Sequence, residues 1–450
     1  MSAAAIDWNV ARPAQRTFRG WLAGIATVGL ALRILYTFTI SPALAPISDD
    51  SFYYYASNLI AQGHGYAQPF TYFFQGRLTP TAGHPPLWPL VLAVVSLFTA
   101  PASGVGSLTG TAVDVHRIVG CLFGAGTVAL VGILGRRIGG WRVGLVAAAV
   151  AAVYPHFITL DGYLLAEPLY GFLVGALLIV AYDFGARPSR WRSFALGVLV
   201  GLAALTRQEA LLFIPVLVVP LAWRAGPKRV VHGGLALLGT LVVVTPWTIR
   251  NYVVFHRFVP VANTTGAVIA GANCRATYYG SDLGSWQPSC TVTPVFSSNE
   301  AVESSRRVSQ GIDYAGRHPA RATLIAGIRL LRIWSLYAPN DEAIGNLTVL
   351  WIGMVLYWSL LVAAIAGLVL MARAGRPLVV LVAAPIVTSI AAIVGDGLDR
   401  LRYGAEVPLL ALAAWTLVWL YGRAVRSHRV GRLARVVIAP HRDALPDARR

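Results

Sequence analysis

Charged residues are scarce in this sequence, where only 12% of the 450 residues are Asp, Glu, Lys or Arg. Hydrophobic residues make up 56%, which is too apolar for a soluble domain of this length. Apolar runs long enough to cross a bilayer recur along the chain, with short arginine-rich breaks between them. The composition therefore excludes a soluble enzyme and predicts an all-α membrane protein with several spans.

Lysine is almost absent, since Lys228 is the only one. It lies in the segment GPKRV, so the sequence contains no phosphate-binding P-loop. The three cysteines have no spacing typical of zinc sites. These absences argue against nucleotide hydrolysis and against a zinc site, and we expect no organic cofactor.

Acidic residues are also few, which leaves a formal net charge of +18. The basic residues gather at the ends of apolar runs and in the tail from Arg423 to Arg450. Cytoplasmic loops of membrane proteins are basic in the same way. We therefore relate the charge to membrane orientation and expect no nucleic-acid partner.

The apolar pattern predicts a bundle of membrane-crossing helices. Ten crossings are expected, at residues 20–41, 114–135, 142–158, 164–183, 193–206, 210–223, 230–248, 346–371, 377–394 and 404–421. The run 87–98 is too short to cross, and 319–337 carries Arg329 and Arg332, so both are interpreted as juxtamembrane helices on the outer face.

Orientation follows from the arginine-rich breaks. Positive-inside reasoning places four of them in the cytoplasm: 135–142, 186–192, 223–229 and 371–377. Both termini are then cytoplasmic, in a multi-pass protein of the plasma membrane. The first apolar run has no clear signal-peptide cleavage site, so we expect it to stay as a permanent helix.

Five regions follow in chain order. They are a basic cytoplasmic N-terminus (1–19), a transmembrane module (20–248) with an acidic first outer loop (42–113), a long outer loop (249–345) with an amphipathic helix, C-terminal transmembrane helices (346–421) and a basic cytoplasmic tail (422–450). Cys274 and Cys290 fall in the long outer loop, where an oxidising compartment favours a disulfide between them. Two free thiols are the alternative.

Two adjacent acids, Asp49 and Asp50, follow the first apolar run in the segment ISDDSFYYYA. Helix initiation would explain them, with Ser48 as N-cap and both carboxylates in the first turn. Ionisable groups at the edge of an apolar protein are costly, however, unless they pair or function. We interpret both acids as candidate catalytic groups, beside Tyr53 and Tyr54 four residues further along the helix.

A second outer turn carries Asp161 and Glu167 in the segment LDGYLLAEPLY. Helix capping is again an alternative for Glu167, which precedes a proline. His84, in TAGHPPLWP, could bind substrate or a metal ion, although most single histidines do neither.

Several arginines also face the predicted outer side, against the positive-inside bias. They are Arg207, Arg250, Arg257, Arg400 and Arg402. Bidentate binding of a phosphate would explain them. The alternative is pairing with nearby acids, namely Glu209, Asp396, Asp399 or Glu406.

The segment GAGTVA (124–129) matches a dinucleotide fingerprint formally, but no strand precedes it and it lies inside a predicted span. With Gly120 and Gly124 it is better interpreted as a small-residue face for helix packing.

Six segments in chain order resemble GT-C fold glycosyltransferases. They are SDDSFYYYA, GHPPLWPL, YLLAEPLYGFL, GLAALTRQEALLFIP, TPWTIRNYVVFHRFVPV and DRLRYGAEVPLL. The sequence is most similar to the bacterial relatives of protein O-mannosyltransferases and aminoarabinose transferases, a group like glycosyltransferase family 39. The resemblance covers about residues 20–420 and implies a GT-C-like transmembrane bundle with outer juxtamembrane helices.

The resemblance implies inverting transfer of a sugar from a polyprenyl-phosphate donor to an acceptor hydroxyl on the outer face. Asp49 matches the first acid of the family's acidic pair and is the expected base, while Asp50 matches the second acid and would orient the acceptor or tune Asp49. Glu167 matches the acid of the second outer loop, where relatives often carry Asp. Arg207 stands where relatives carry a basic residue, and Arg402 with Tyr403 matches the family's basic-aromatic motif before the last span. The resemblance implies that these residues hold the lipid phosphate.

The acceptor is not specified by the sequence and could be a glycan, a protein or a lipid. Carboxylates with His84 could also bind a divalent ion, though no spacing demands one. Other functions stay open: a transporter with acidic relay residues, or a protein that binds lipid-linked glycans without catalysis.

Overall fold

A computed structural model of the chain describes residues 15–41, 44–45, 47–99, 108, 110–291, 299–338 and 347–437. Parts of both predicted outer loops, most of the N-terminus and the end of the tail lie outside these residues. Within them the fold is helical, and the extended pairing is limited to an isolated bridge between Ala67 and Pro80. The prediction of an all-α protein is confirmed.

Eighteen α-helices follow one another in the described part of the chain. They are α1 (Gln15–Thr39), α2 (Asp49–Ala61), α3 (Pro69–Gln75), α4 (Leu87–Ser96), α5 (Thr111–Gly139), α6 (Trp141–Val153), α7 (Pro155–Asp161), α8 (Glu167–Ala186), α9 (Arg190–Ala204), α10 (Val219–Arg224), α11 (Arg229–Phe255), α12 (Thr264–Ala272), α13 (Arg275–Tyr278), α14 (Glu300–Arg317), α15 (Pro319–Ile333), α16 (Leu347–Arg373), α17 (Val379–Val394) and α18 (Tyr403–Val437).

Six of these helices are long and apolar enough to cross a membrane: α1, α5, α8, α11, α16 and α18. A seventh span is possible if α6 and α7, which meet at a bend of 56°, are counted as one. Three predicted crossings fall on shorter helices, α9 with 15 residues, α10 with 6 and α17 with 16. A straight crossing needs about 20 residues, so the described helices provide fewer full spans than predicted.

Helix α18 lies at the centre of the bundle and packs against α5, α6, α8, α16 and α17. Small residues allow the closest approaches elsewhere, as between α9 and α11. A methyl group on Gly197 would lie 1.7 Å from the carbonyl oxygen of Ala236, so the two backbones touch there. Close packing through small residues is typical of helices in membranes.

The predicted packing face of α5 is confirmed. A methyl group on Gly124 would lie 2.0 Å from a carboxylate oxygen of Asp161, and one on Gly120 would lie 2.6 Å from the Asp161 backbone oxygen. The two glycines therefore make room for the end of α7.

The arginine-rich breaks meet at one end of the bundle, called here the basic end. It comprises the connections α5–α6, α8–α9, α10–α11 and α16–α17. Arg137 pairs with Asp183 at 2.6 Å, and Arg376 donates to the backbone oxygen of Ile138 at 2.9 Å. Glu167 begins α8 at the other end, about 30 Å away over 20 residues.

The long segment between α11 and α16 forms α12 to α15. Cys274 and Cys290 are joined by a disulfide, with their Cα atoms 6.2 Å apart. The predicted amphipathic helix is present as α15, but Arg329 and Arg332 are buried, contrary to a surface role. Arg329 donates to the backbone oxygen of Ile393 at 3.3 Å and also contacts that of Ala272.

Candidate active site

The start of α2 is fixed by its own polar residues. Ser48 is the N-cap and forms a capping box with Ser51, as the helix-initiation interpretation expects. Asp50 is buried, and its Oδ1 accepts from the Ser51 backbone N–H at 2.9 Å and contacts the Ser48 hydroxyl. Capping therefore accounts for Asp50, whereas Asp49 projects elsewhere.

Asp49 forms an ion pair with Arg400, whose Nη2 lies 2.5 Å from Asp49 Oδ2. Its other oxygen lies 3.8 Å from His84 Nε2. Burial acts to raise the pKa of Asp49, but the charge and hydrogen bond of Arg400, the charge of Arg207 and, at acid pH, that of protonated His84 outweigh burial and lower the pKa to about 2. The carboxylate is therefore ionised at neutral pH and held by a guanidinium.

A second ion pair adjoins the first. Arg207 Nη1 lies 2.9 Å from Glu167 Oε1, and its Nε lies 2.5 Å from Glu209 Oε1. Arg400 Nη1 also comes within 3.9 Å of Glu167 Oε1. We call Asp49, Glu167, Arg207, Glu209 and Arg400 the acid–arginine cluster; it combines three carboxylates with two guanidiniums.

Helix ends and breaks bring this cluster together. Glu167 stands in the first turn of α8, followed by proline at a position that favours helix starts. Arg207 has extended backbone just after α9 ends, before a short 3₁₀ turn at Gln208–Leu212. Arg400 lies in another 3₁₀ turn, Asp399–Arg402, that leads into α18. Four separate parts of the chain therefore converge on one point.

His84 and Tyr53 form the wall beside Asp49. The Tyr53 hydroxyl lies 3.4 Å from His84 Nδ1, and the imidazole packs on Phe52 with ring centres 4.3 Å apart. Burial lowers the pKa of His84 despite the nearby carboxylate of Asp49. The imidazole is therefore neutral at pH 7. It can accept or donate a hydrogen bond without adding charge.

The predicted site residues thus divide into two sets. The structure brings six of them together: Asp49, Tyr53, His84, Glu167, Arg207 and Arg400. Sequence reasoning named Glu209 only as a partner for an arginine, and it belongs to the cluster as well.

Tyr54 and Arg250 are among the predicted residues that lie outside the cluster. Tyr54 is buried and packs edge-on against His116, with ring centres 5.1 Å apart. Arg250 donates to the backbone oxygens of Thr81 at 2.7 Å and Tyr66 at 2.9 Å. Its guanidinium therefore holds the segment before α4 and does not reach the cluster.

Arg402 is also engaged structurally. Its Nε lies 2.6 Å from Glu406 Oε1, and only 2% of the side chain is exposed. Glu406 accepts further hydrogen bonds from Tyr154 at 3.0 Å and pairs with His156 at 2.7 Å. Pairing with Glu406 was the alternative to phosphate binding, and the geometry favours that alternative for Arg402.

Asp161 and Tyr403 meet in a second buried network, away from Asp49. Arg33 Nε lies 2.6 Å from Asp161 Oδ2, and the Tyr403 hydroxyl donates to Asp161 Oδ1 at 2.7 Å. Both members of the ion pair are fully buried. Sequence reasoning missed Arg33, although it is the single charged residue in the predicted span 20–41 and a charge inside a span signals a partner.

Asp49 and His84 are the pair that a divalent ion could share within the cluster. Arg400 already contacts Asp49, however, and two ligands do not make a site. Across the described residues, no group of three or more His, Cys, Asp or Glu side chains is arranged to hold a metal ion.

Comparison with known proteins gives similarity in structure but not in sequence. No protein-family model matches the chain, and no curated protein matches it.

The fold is similar to that of the oligosaccharyltransferase of Archaeoglobus fulgidus. One structure of that protein, tethered to an acceptor peptide, has 13% identity and a TM-score of 0.57, covering 91% of this chain and 50% of the archaeal one. Another, of the AglB complex with an inhibitory peptide and a dolichol-phosphate, has 13% identity and a TM-score of 0.55, covering 96% and 53%. The chain therefore spans about half the length of these neighbours.

ArnT from Cupriavidus metallidurans, solved with undecaprenyl phosphate, also matches, with 13% identity and a TM-score of 0.44 over 88% of this chain and 77% of that one. The archaeal similarity is enough to confirm the prediction of the GT-C fold.

Proposed function

We propose that the protein is an integral membrane glycosyltransferase that moves a sugar from a polyprenyl-phosphate donor to an acceptor hydroxyl, with inversion. The observation that carries this proposal is the ion pair between Asp49 and Arg400, with Arg207 beside it, at helix ends of a GT-C fold. In such a reaction, a carboxylate can accept the proton of the acceptor hydroxyl, and two adjacent guanidiniums can stabilise the leaving phosphate. The archaeal neighbour's complex with a dolichol-phosphate supports a lipid-linked donor.

In the proposed step, Asp49 accepts the proton of the acceptor hydroxyl while that oxygen attacks the anomeric carbon. The bond between this carbon and the phosphate oxygen breaks, and the electron pair leaves with the lipid phosphate. Arg400 and Arg207 stabilise the negative charge that develops on the phosphate. No redox partner is needed, because the proton ends on Asp49 and the charge on the phosphate.

Arg400 couples the two halves of this reaction. With Arg400 in contact, the pKa of Asp49 is lowered to about 2, which makes the carboxylate a weak base. A donor phosphate offers Arg400 a bidentate partner. When Arg400 turns to the phosphate, Asp49 loses its strongest stabilising charge and becomes more basic. Donor binding would therefore activate the base.

The remaining groups of the cluster have positioning roles. Glu167 and Glu209 hold Arg207 from two sides, which fixes the direction of its guanidinium. Asp50 supports the first turn of α2 and so orients Asp49. Neutral His84 and the Tyr53 hydroxyl offer hydrogen bonds to sugar hydroxyls next to the base.

Orientation follows from the basic end, which the positive-inside rule assigns to the cytoplasm. The acid–arginine cluster would then face the outer side of the plasma membrane, where a lipid-linked sugar is presented. The acceptor could be a glycan, a protein or a lipid.

A second candidate is a protein that binds lipid-linked glycans without catalysis. One observation favours it: each carboxylate of the cluster already has an arginine partner. A set of paired charges can recognise a sugar phosphate without transferring the sugar.

Purified full-length protein tests the proposal when it is incubated with labelled sugar on polyprenyl-phosphate, with a membrane extract as acceptor pool. Wild type should transfer label, and Asp49→Asn should not. Asp183→Asn is the matched control, because it also removes a carboxylate paired with an arginine, but at the basic end. If the protein binds the donor and transfers nothing to a complete extract, the non-catalytic function is correct.

A further inference from the structure

An open groove lies at the basic end, far from the acid–arginine cluster. Its volume is about 640 Å³, and its lining comes from the end of α10 and the connection between α16 and α17. The polar part of the lining is two arginines, Arg224 and Arg376. The other lining residues are Ala372, Gly375, Pro377, Leu378 and Val379.

The lining of the groove carries two arginines and no acidic residue. No Asp or Glu occurs in the sequence from 210 to 281 or from 343 to 395, the stretches that contain every residue of the lining. Arg376 uses one nitrogen, Nη1, to donate to the Ile138 backbone oxygen, which leaves most of its donors available. Arg224 has no hydrogen bond or ion pair with any residue in the described ranges.

Other arginines at this end are used differently. Arg137 donates two hydrogen bonds to the Asp183 carboxylate, and Arg192 donates one to the backbone oxygen of Arg187. Arg229 stacks on Trp223 at 4.2 Å. The groove therefore gathers cationic donors that the protein itself leaves unsatisfied.

The walls point to a lipid as the source of the anion. Pro377, Leu378 and Val379 line the groove where α17 begins, and α16 ends beside them as a membrane-spanning helix. A lining that combines two arginines with apolar side chains suits a phosphate that carries acyl chains. Basic pockets between helices at the cytoplasmic surface bind anionic lipid headgroups by this combination.

We infer that the groove lined by Arg224 and Arg376 binds the phosphate of an anionic phospholipid. This site is separate from the proposed transfer of sugar, and it does not depend on that function.

The inference can be tested with full-length protein in nanodiscs of phosphatidylcholine containing 0 or about 20% phosphatidylglycerol. Thermal unfolding and native mass spectrometry report bound lipid. Wild type should retain phosphatidylglycerol and unfold at higher temperature in its presence. Arg224→Ala should weaken retention about fivefold, and addition of Arg376→Ala should weaken it further.

Arg190→Ala is the matched control, since it removes an exposed arginine at the same end but outside the groove. Equal losses in Arg190→Ala and Arg224→Ala would overturn the inference in favour of diffuse attraction to the surface. A separate arm adds inorganic phosphate or glycerol phosphate to protein in neutral nanodiscs. Protection by these soluble anions that matches phosphatidylglycerol would overturn a lipid site and indicate a soluble phosphate ligand.

Discussion

Arg400 and Arg402 lie two residues apart in one 3₁₀ turn, yet their surroundings differ. The Arg400 side chain is 29% exposed and pairs with Asp49, itself 37% exposed. The Arg402 side chain is 2% exposed and pairs with the fully buried Glu406. Resemblance in sequence suggested Arg402 as a phosphate ligand, but the exposed arginine is the one that a ligand can reach.

The difference separates an arginine that supports the fold from one that a ligand can reach. A buried ion pair costs much to desolvate and is strongly destabilising when one partner is removed. An exposed pair contributes little to stability, so its partners can exchange for a ligand at low cost. We therefore expect substitutions at the two arginines to affect different properties.

The largest expected effect concerns the exposed pair. Asp49→Asn keeps the size of the side chain but removes the proton acceptor, so transfer of labelled sugar should fall by about 10²- to 10⁴-fold. Thermal unfolding should change little, because Asp49 is partly exposed. Full activity of a folded Asp49→Asn variant would contradict its role as the base.

The next effect concerns the buried pair. Arg402→Ala leaves Glu406 buried beside His156 without its guanidinium, which should lower the free energy of unfolding by about 3–5 kcal/mol. Chemical denaturation in detergent would measure it. Arg400→Ala should cost about 1 kcal/mol or less. Equal destabilisation by the two substitutions would remove the distinction between them.

A smaller loss of stability is expected at Tyr403. Tyr403→Phe removes the hydrogen bond to Asp161 and nothing else of the ring, so about 1.5–3 kcal/mol of stability should be lost. The same denaturation experiment applies, with Tyr421→Phe as a control on the exposed part of α18. Unchanged stability of Tyr403→Phe would mean that the Asp161 carboxylate, paired with Arg33, does not need the hydrogen bond from α18.

The smallest effect is a change in pH dependence. Arg400 depresses the pKa of Asp49 to about 2, so kcat/KM of wild type should be flat between about pH 5 and 7 as far as Asp49 is concerned. In Arg400→Gln, the guanidinium no longer opposes the effect of burial, so the pKa of Asp49 should rise above the ordinary value of about 3.9. Protonation of the base should then reduce kcat/KM by at least about twofold near pH 4.

Arg257→Gln supplies the control for this pH profile, since Arg257 is exposed and outside the cluster. An unchanged acid limb in Arg400→Gln would show that Arg400 does not set the basicity of Asp49.

Much of the architecture could be predicted because local rules determine it. Ser48 at the start of α2, the short helix α4 and the packing face around Gly124 each follow from a few neighbouring residues. Pairing between distant segments could not be predicted in the same way. Arg402 has acids at both i−3 and i+4, so the sequence left its role open.

The candidate site is formed by contacts between residues that are far apart in the sequence. Arg400 meets Asp49 across 351 positions, and Asp161 meets Arg33 across 128. Such contacts depend on how the helices pack. The resemblance favoured Glu167, which enters the cluster, over Asp161, which does not, but the residues of the predicted outer turn alone did not separate them.

The length of α9 sets the depth of the cluster. It has 15 residues, so it extends at most about 23 Å from the basic end, whereas the hydrocarbon core of a bilayer is about 30 Å thick. Arg207 lies three residues beyond Ala204, where α9 ends, so the helix itself is several ångströms shorter than such a core. Under the proposed function, a bilayer that stays about 30 Å thick would place the cluster in a recess open to water. An acceptor would then have to reach into that recess, which favours slender, flexible molecules over bulky folded ones.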